Sequence, residues 1–140
     1  MKEIKKLGLY IRSSTNNQDL LLQKDKLNIY INYLRNLNPN FEYLIKEYID
    51  EGWSGRNMER PAFLRLINDL KNNSLNFVIV TKLDRLSRSL QDLLNTIKEI
   101  KDHNCEFIAI DNNIDTSTSQ GRLLFHIIGS FAEFEREVIR

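Results

Sequence analysis

The sequence predicts an α/β domain in which a mostly parallel sheet is flanked by helices. Short runs of apolar and β-branched residues alternate with longer segments whose apolar residues recur every three or four positions, in the order β-α-β-α-β-α-β-α. Turn-forming residues separate these segments. The length of 140 residues fits one domain and leaves no room for two.

The first half of the chain contains two predicted strands, a helix between them and the start of a second helix. The strands cover Leu7–Arg12 and Tyr43–Ile49, and apolar residues at helical spacing between them predict a helix from Gln18 to Leu37. The polar segment Asp50–Arg60 predicts a loop after the second strand. Pro61 then suits the first turn of a second helix.

The second half continues the alternation. Phe77–Thr81 is short, β-favouring and uncharged, so it predicts a central buried strand. Leu90 to Ile100 predicts a third helix, Phe107–Ile110 a fourth strand and Asp111–Gln120 a polar loop. Apolar residues from Leu124 to Val138 predict a last helix that runs to the end of the sequence.

The composition excludes several classes of protein. With 41% hydrophobic and 28% charged residues, the chain is neither disordered nor a coiled coil. Cys105 is the single cysteine, which excludes an internal disulfide and a multi-cysteine zinc site. No apolar run approaches the ~18 residues that a membrane span needs, and none resembles a secretory signal. We therefore expect a cytoplasmic protein with no membrane partner.

Charge is unevenly distributed along the sequence. The net charge is +1, but residues 56–88 carry 7 basic and 3 acidic groups, whereas residues 89–140 carry 5 and 9. This pattern indicates either a basic surface in the middle segment or ordinary variation, and by itself it neither requires nor excludes a nucleic-acid partner.

The carboxyl ends of the predicted strands concentrate arginine around one serine. Ligands of open α/β sheets bind at this edge. Four arginines converge there with Ser14, and Ser14 faces the segment Asp84–Arg88 if strands one and three are neighbours. The four are Arg12, Arg60, Arg85 and Arg88. Each group also has a structural interpretation, since Ser14 suits a helix cap, Asp84 and Arg88 suit a solvated helical pair, and Arg60 could be exposed.

Together these residues favour phosphoryl transfer. Four guanidinium groups near one another need an anion, and arginine is suited to bidentate phosphate contacts. A serine hydroxyl beside a phosphate suggests a nucleophile. No nucleotide-binding P-loop or GxSxG turn is present, and His103 and His126 lie elsewhere in the sequence. A single carboxylate, Asp84, does not suit two-metal chemistry, so we expect the arginines to supply the charge with no metal or cofactor.

The same residues resemble the catalytic domain of serine site-specific recombinases, the resolvase–invertase family. The likeness runs in order from about Leu7 to Arg140 through four motifs. These are Tyr10-x-Arg12-x-Ser14-Thr15-x-x-Gln18; Asp50-x-Gly52-x-Ser54-Gly55 leading to Arg60-Pro61; Asp84-Arg85-Leu86-Ser87-Arg88; and a C-terminal set formed by Ile114–Thr118, Gly121-Arg122 and Phe131–Glu137.

The resemblance implies a fold and a reaction. The fold would be a three-layer domain with a central sheet of four to five strands and a long C-terminal helix. Ser14 would attack a DNA phosphodiester, giving a 5′-phosphoserine link and a free 3′-hydroxyl, and later rejoining would complete strand exchange. Depending on the protein, the outcome is resolution, inversion, integration or transposition. The chemistry needs neither ATP nor a metal.

The resemblance also assigns roles to individual residues. Arg12, Arg85 and Arg88 would bind the scissile phosphate and Arg60 would join them from its loop. Asp84 would orient the arginines or assist the leaving hydroxyl, and Gln18 would order the loop. Tyr10 and Lys82 would belong to the DNA-facing surface, and Glu135 and Arg136 to a dimer interface on the last helix. The implied partners are double-stranded DNA, a second subunit, a tetramer at synapsis and, in some members, an accessory directionality factor.

Two departures from the family pattern affect these expectations. Ser13 occupies a position that is usually apolar, which puts two serines side by side. Strand alternation places Tyr10, Arg12 and Ser14 on one face and Ser13 on the other, so we expect Ser14 to be the nucleophile. The sequence also stops at Arg140, so we expect residues 1–140 to be a catalytic fragment with a truncated last helix and no DNA-binding domain.

Two other functions remain open on the sequence. One is a phosphohydrolase that acts on a small phosphate ester with the same serine and arginines. The other is a non-catalytic α/β dimerisation module in which Ser14 only caps a helix.

Overall fold

The computed structural model of the chain describes residues 2–14, 17–53 and 57–139. Thr15, Ser54 and Gly55 of the sequence motifs lie outside these ranges. The elements are β1 Glu3–Ser13, α1 Asn17–Leu37, β2 Phe41–Glu51, α2 Pro61–Lys71, β3 Phe77–Val80, α3 Leu83–Leu86, α4 Leu90–Asp102, β4 Glu106–Ala109, β5 Ile114–Asp115 and α5 Ser119–Ile139.

The strands form one five-stranded sheet in the order β2-β1-β3-β4-β5. The first four strands are parallel, and β5 pairs antiparallel with β4. β1 and β3 are neighbours, with Leu7 opposite Phe77 and Leu9 opposite Ile79. The segments that follow these two strands therefore meet at the same edge of the sheet, as the sequence predicts.

Strand β1 lies in the interior of the sheet and is buried on both faces from Leu7 to Ser13. Leu7, Leu9 and Ile11 pack on one face beneath α1, where Leu27 and Ile31 complete the cluster. This alternation is typical of a strand in a three-layer fold, because successive side chains point to opposite faces.

The opposite face of the sheet carries the larger apolar cluster. Tyr10 and Tyr48, which are paired in register, lie in it with residues of α2 and α4. Phe63 and Leu66 of α2 and Ile97 of α4 are among its buried members. The three-layer α/β fold with a mostly parallel sheet is thus confirmed.

The structure adds two elements that the sequence did not predict. α3, from Leu83 to Leu86, is a single turn, which is too short for apolar periodicity to show. β5, Ile114–Asp115, lies in the predicted polar loop and has two residues. It is held partly by side-chain contacts, since the backbone amide of Phe107 donates to the hydroxyl of Thr116 at 2.8 Å.

Helix α5 begins at Ser119, inside the predicted loop, and its two halves differ in packing. Near its start, a Cβ on Gly121 would lie 1.8 Å from the carbonyl oxygen of Asp115, so glycine is needed for this close approach. Leu124 and Ile128 pack against the larger cluster, whereas Phe134 and Val138 are exposed. Within the described residues no helix is both long and apolar enough to cross a membrane.

Candidate active site

The predicted arginine cluster forms where β1, β2 and β3 end. β1 supplies Arg12 and Ser13 from its last positions, and the backbone amide of Gly52, just after β2, donates to the carbonyl of Ser13 at 2.7 Å. Arg60 stands immediately before α2, and Arg85 belongs to the α3 turn after β3. The sheet topology therefore brings together three segments that are far apart in the sequence.

Arg60 is fully buried, with 0% of its surface exposed. Its Nη1 donates to the phenol oxygen of Tyr10 at 2.8 Å, and its Nη2 donates to the carbonyl of Leu86 at 2.6 Å. The guanidinium carbon also lies 4.6 Å from the ring centre of Phe63. The alternative in which Arg60 is simply exposed is therefore wrong.

Asp50 connects this arginine to helix α2. Its carboxylate accepts hydrogen bonds from the phenol of Tyr10 at 2.7 Å and from the backbone amides of Ala62 and Phe63 at 2.8 and 3.0 Å. Arg60 occupies the cap position of α2 without a side-chain cap bond, so Asp50 provides the cap from β2. Burial, together with the bond to Asp50, raises the pKa of Tyr10 and keeps the phenol neutral.

Arg12 is also buried, with 3% of its surface exposed. Its three nitrogens donate to backbone carbonyls: Nε to Arg85 at 3.3 Å, Nη1 to Trp53 at 3.1 Å and Nη2 to Asp84 at 2.8 Å. Burial, followed by repulsion from Arg60, Arg85 and Arg88, lowers the pKa of Arg12. Carbonyl dipoles therefore stabilise a charge that other cations destabilise.

Arg85 lies nearer the surface and meets helix α1. Its Nη2 forms an ion pair with Asp19 at 2.9 Å, and its Nη1 donates to the carbonyl of Arg12 at 3.3 Å. Gln23, one turn after Asp19, donates to the same carbonyl at 3.0 Å and to the second carboxylate oxygen of Asp19 at 3.2 Å. α1 is thus part of the site through two polar side chains.

Sequence reasoning missed Asp19 and Gln23 as site residues. A usable signal was present, since Gln23 shares the buried face of α1 with Leu27 and Ile31. A buried polar side chain on an otherwise apolar face requires a partner, and the end of β1 supplies one. Asp50 was quoted within a motif but was not predicted to belong to the site.

The two adjacent serines differ in exposure. Ser13 is 1% exposed, and its buried hydroxyl has no hydrogen-bond partner within the part of the chain that the structure describes. Ser14, directly after the end of β1, is exposed. Of the two hydroxyls, the one at position 14 is accessible to a ligand approaching this edge.

The remaining predicted site residues lie at the surface around the cluster. Gln18, Lys82, Asp84 and Arg88 are exposed. Asp84 contributes its backbone carbonyl to Arg12, and α3 ends at Leu86, before Arg88. Among the ion pairs of the described residues, none joins the side chains of Asp84 and Arg88, so the helical-pair alternative is not what the structure contains.

Glu135 and Arg136 lie near the end of α5 and are exposed. Arg136 lines a groove between α4 and α5, with Lys98 and Glu133 on its walls. No hydrogen bond or ion pair connects either residue to the arginine cluster within the part of the chain that the structure describes. Over the same residues there is no group of His, Cys, Asp and Glu side chains that could hold a metal ion.

Comparison with known families identifies this arrangement. Residues 7–140 match the family model described as the resolvase N-terminal domain. The chain belongs to this family. The match covers all three segments of the arginine cluster and helix α5, so the family assignment and the site rest on the same residues.

Relatives of known name include a resolvase and a DNA-invertase. The chain is 36% identical to the transposon Tn552 resolvase of Staphylococcus aureus over 136 residues, which is 96% of the chain and 61% of the relative. It is 34% identical to a DNA-invertase of Escherichia phage P1 over 130 residues, which is 93% of the chain and 62% of that protein. The chain therefore spans about three fifths of the length of these relatives.

A solved structure matches the fold over almost its whole length. The N-terminal catalytic domain of TP901-1 integrase superposes with a TM-score of 0.83 at 38% identity, covering 96% of the chain and 98% of that domain. This similarity confirms the predicted resolvase-like fold with its long C-terminal helix.

Proposed function

We propose that this domain cleaves and rejoins DNA as the catalytic part of a serine site-specific recombinase. The exposed position of Ser14, directly after the end of β1 that carries Arg12, is the observation that carries the proposal. The Ser14 oxygen loses its proton and bonds to phosphorus, the bond from phosphorus to the 3′-oxygen breaks, and that oxygen takes up a proton. The products are a 5′-phosphoserine link and a free 3′-hydroxyl, and the reverse reaction with another 3′-hydroxyl rejoins the strands.

The arginines divide the work according to their exposure. Arg88 is exposed and the side chain of Arg85 is 22% exposed, so these two reach the scissile phosphate first. Arg12 and Arg60 donate to backbone carbonyls and hold the β1 end, the α2 start and α3 together. They approach the phosphate only if those carbonyl contacts are exchanged for it.

The surface residues around the cluster take the supporting roles. The carboxylate of Asp84 orients the arginines or assists the leaving 3′-oxygen, Gln18 orders the loop after β1, and Lys82 faces the DNA. Tyr10 acts through its bonds to Asp50 and Arg60, because it is 0% exposed. We therefore assign it to the framework of the site and not to direct contact with DNA.

Assembly involves helix α5. Among the described residues, five large apolar side chains of this helix are exposed at spacings of three and four residues, namely Leu123, Ile127, Phe131, Phe134 and Val138. Such a stripe is typical of a helix that packs against a partner. We assign it to a homodimer that forms a tetramer at synapsis, with Glu135 and Arg136 at the interface.

Covalent trapping tests the proposal. The full-length protein is incubated with the DNA element that carries its gene, the reaction is stopped with denaturant, and protein attached to DNA 5′ ends is scored. We expect adducts from the wild type and from Ser13→Ala, and none from folded Ser14→Ala. An adduct that survives Ser14→Ala would contradict the assignment of the nucleophile. Ser14-dependent turnover of a small phosphate ester without DNA attachment would instead favour a phosphohydrolase.

A further inference from the structure

The carboxylate of Asp19 forms an ion pair with Arg85 on the accessible side of the arginine cluster. Its Oδ1 lies 2.9 Å from Nη2 of Arg85, and its Oδ2 accepts from Gln23 at 3.2 Å. Both oxygens are thus engaged. The side chains of Asp19 and Arg85 are 23% and 22% exposed, so an ion from solution can reach this pair.

The surroundings leave Asp19 as the local counter-ion. Asp50 is buried and committed to Tyr10 and to the backbone amides of α2. Among the ion pairs of the described residues, the pair between Arg85 and Asp19 is the one that involves an arginine of the cluster. Burial, followed by repulsion from Arg60, Arg85 and Arg88, lowers the pKa of Arg12, so an anion beside these arginines is favourable.

A carboxylate and a phosphodiester present similar pairs of oxygens to a guanidinium group. In this structure Arg85 gives Nη2 to Asp19 and Nη1 to the carbonyl of Arg12, while its Nε is buried and finds no acceptor among the described residues. A phosphate that approaches Ser14 therefore competes with Asp19 for a donor that is already occupied.

We propose that Asp19 is a resident counter-ion which occupies Arg85 until a DNA phosphate displaces it. This inference rests on the proposed function, because it concerns the same phosphate. Asp19 acts through Arg85 and is a positioning residue. The ion pair offsets the charge of Arg85 in the free domain and delays full engagement of Arg85 until the phosphate is in place.

If Asp19 only stabilised the start of helix α1, a different result would be expected. An acidic residue in the first turn of a helix is favourable near the helix N-terminus whatever its neighbours. Asp19 would then affect stability without affecting anion binding through Arg85. Asp25 offers a matched control, since it is an exposed aspartate on the same helix.

The experiment titrates inorganic phosphate into the ¹⁵N-labelled chain and follows the arginine Nε–Hε signals. We expect Asp19→Asn to bind phosphate about twofold to fivefold more tightly than the wild type, since the competing ion pair is partly exposed and worth up to about 1 kcal/mol. Asp25→Asn should change the affinity by less than about twofold, because its charge is more distant and screened. Asp19→Glu restores the charge and should restore wild-type affinity.

Repeating Asp19→Asn in a protein that also carries Arg85→Ala separates competition for Arg85 from a general effect of charge. There, Asp19→Asn should no longer tighten phosphate binding. Equal tightening with and without Arg85, or equal effects of Asp19→Asn and Asp25→Asn, would overturn the inference. Thermal unfolding identifies variants that do not fold, and Asp19→Ser provides a second neutral substitution for that case.

Phosphate binding and covalent trapping separate the two proposals. If the phosphate affinity depends on Asp19 only when Arg85 is present, but no Ser14-linked DNA forms, the recombinase proposal fails and the counter-ion exchange stands. If the adduct forms and phosphate binding is insensitive to Asp19, the counter-ion exchange fails and the recombinase proposal stands.

Discussion

Two pairs of arginines at the same sheet edge differ in what they bind. Arg12 and Arg60 are 3% and 0% exposed and donate mainly to backbone carbonyls. Arg85 pairs with a carboxylate at the surface, and Arg88 is exposed. The buried pair joins three loops into one framework, whereas the accessible pair remains available to a ligand. Residues that look equivalent in the sequence thus have separable structural and chemical roles.

The largest loss of stability should come from removing a buried arginine of the framework pair. Arg60→Ala leaves the Leu86 carbonyl and the Tyr10–Asp50 pair without their cationic partner, so we expect a loss of about 3–5 kcal/mol in the free energy of unfolding. Arg88→Ala should change it by less than about 0.5 kcal/mol, because the side chain is exposed. Urea unfolding of the two variants measures the contrast.

The rate of DNA cleavage should depend directly on the two accessible arginines. A folded Arg88→Ala or Arg85→Ala protein should cleave DNA at least ~100-fold more slowly, as is usual when one preorganised charge donor is removed. Single-turnover trapping of the Ser14 adduct measures this rate. If Arg60→Ala proved stable, or if both accessible arginines could be removed without loss of rate, the division into framework and ligand-binding pairs would be wrong.

A second test compares two aspartates of the site. Asp50 accepts three hydrogen bonds in the interior, so Asp50→Asn turns an amide donor toward existing donors and should cost about 2 kcal/mol in unfolding free energy. Asp84 is exposed and holds Arg12 through its backbone carbonyl, so Asp84→Asn should be nearly neutral for stability. Similar losses in both variants would show that the carboxylate of Asp84 also supports the framework.

These contrasts mark the limit of what could be predicted from the sequence. Alternation of apolar patterns is visible in the chain, so the sheet, its flanking helices and the convergence of four arginines were predicted. α3 is too short to produce a periodic signal, and β5 depends on pairing with β4. The division between Arg60 and Arg88 depends on which carbonyls meet each guanidinium group, and that follows from tertiary packing alone.

A further prediction uses a second tyrosine–carboxylate pair, whose tyrosine lies in the larger apolar cluster. Tyr48 donates to Asp69, and Lys46 donates to the same carboxylate at 2.7 Å. The bond from Lys46, followed by that from Tyr48, lowers the pKa of Asp69. A carboxyl whose pKa is lower in the folded state stabilises that state above the unfolded pKa, and the contribution disappears as the pH falls through the folded value.

We therefore expect Asp69→Asn to lose about 1 kcal/mol of stability at pH 7. The difference from the wild type should shrink below about pH 4, where the unfolded chain also protonates this group. Urea unfolding at the two pH values measures it. A difference that stayed constant at both pH values would mean that shape, and not charge, carries the interaction, in contrast to the buried Asp50.

The smallest effect is expected at Ser13 and carries the opposite sign. Its buried hydroxyl has no partner in residues 2–14, 17–53 and 57–139, so Ser13→Ala should raise the free energy of unfolding by about 0.5–1 kcal/mol. Thr116 is equally buried, but its hydroxyl accepts from the Phe107 amide and donates to Glu106, so Thr116→Val should be destabilising. Thermal unfolding of Ser13→Ala and Thr116→Val measures the two changes in stability.

Because Ser14 is the exposed serine, Ser13→Ala should also keep its capacity for covalent attachment to DNA. Loss of attachment in a stable Ser13→Ala protein would mean that the buried hydroxyl bonds a group of the site when DNA is bound.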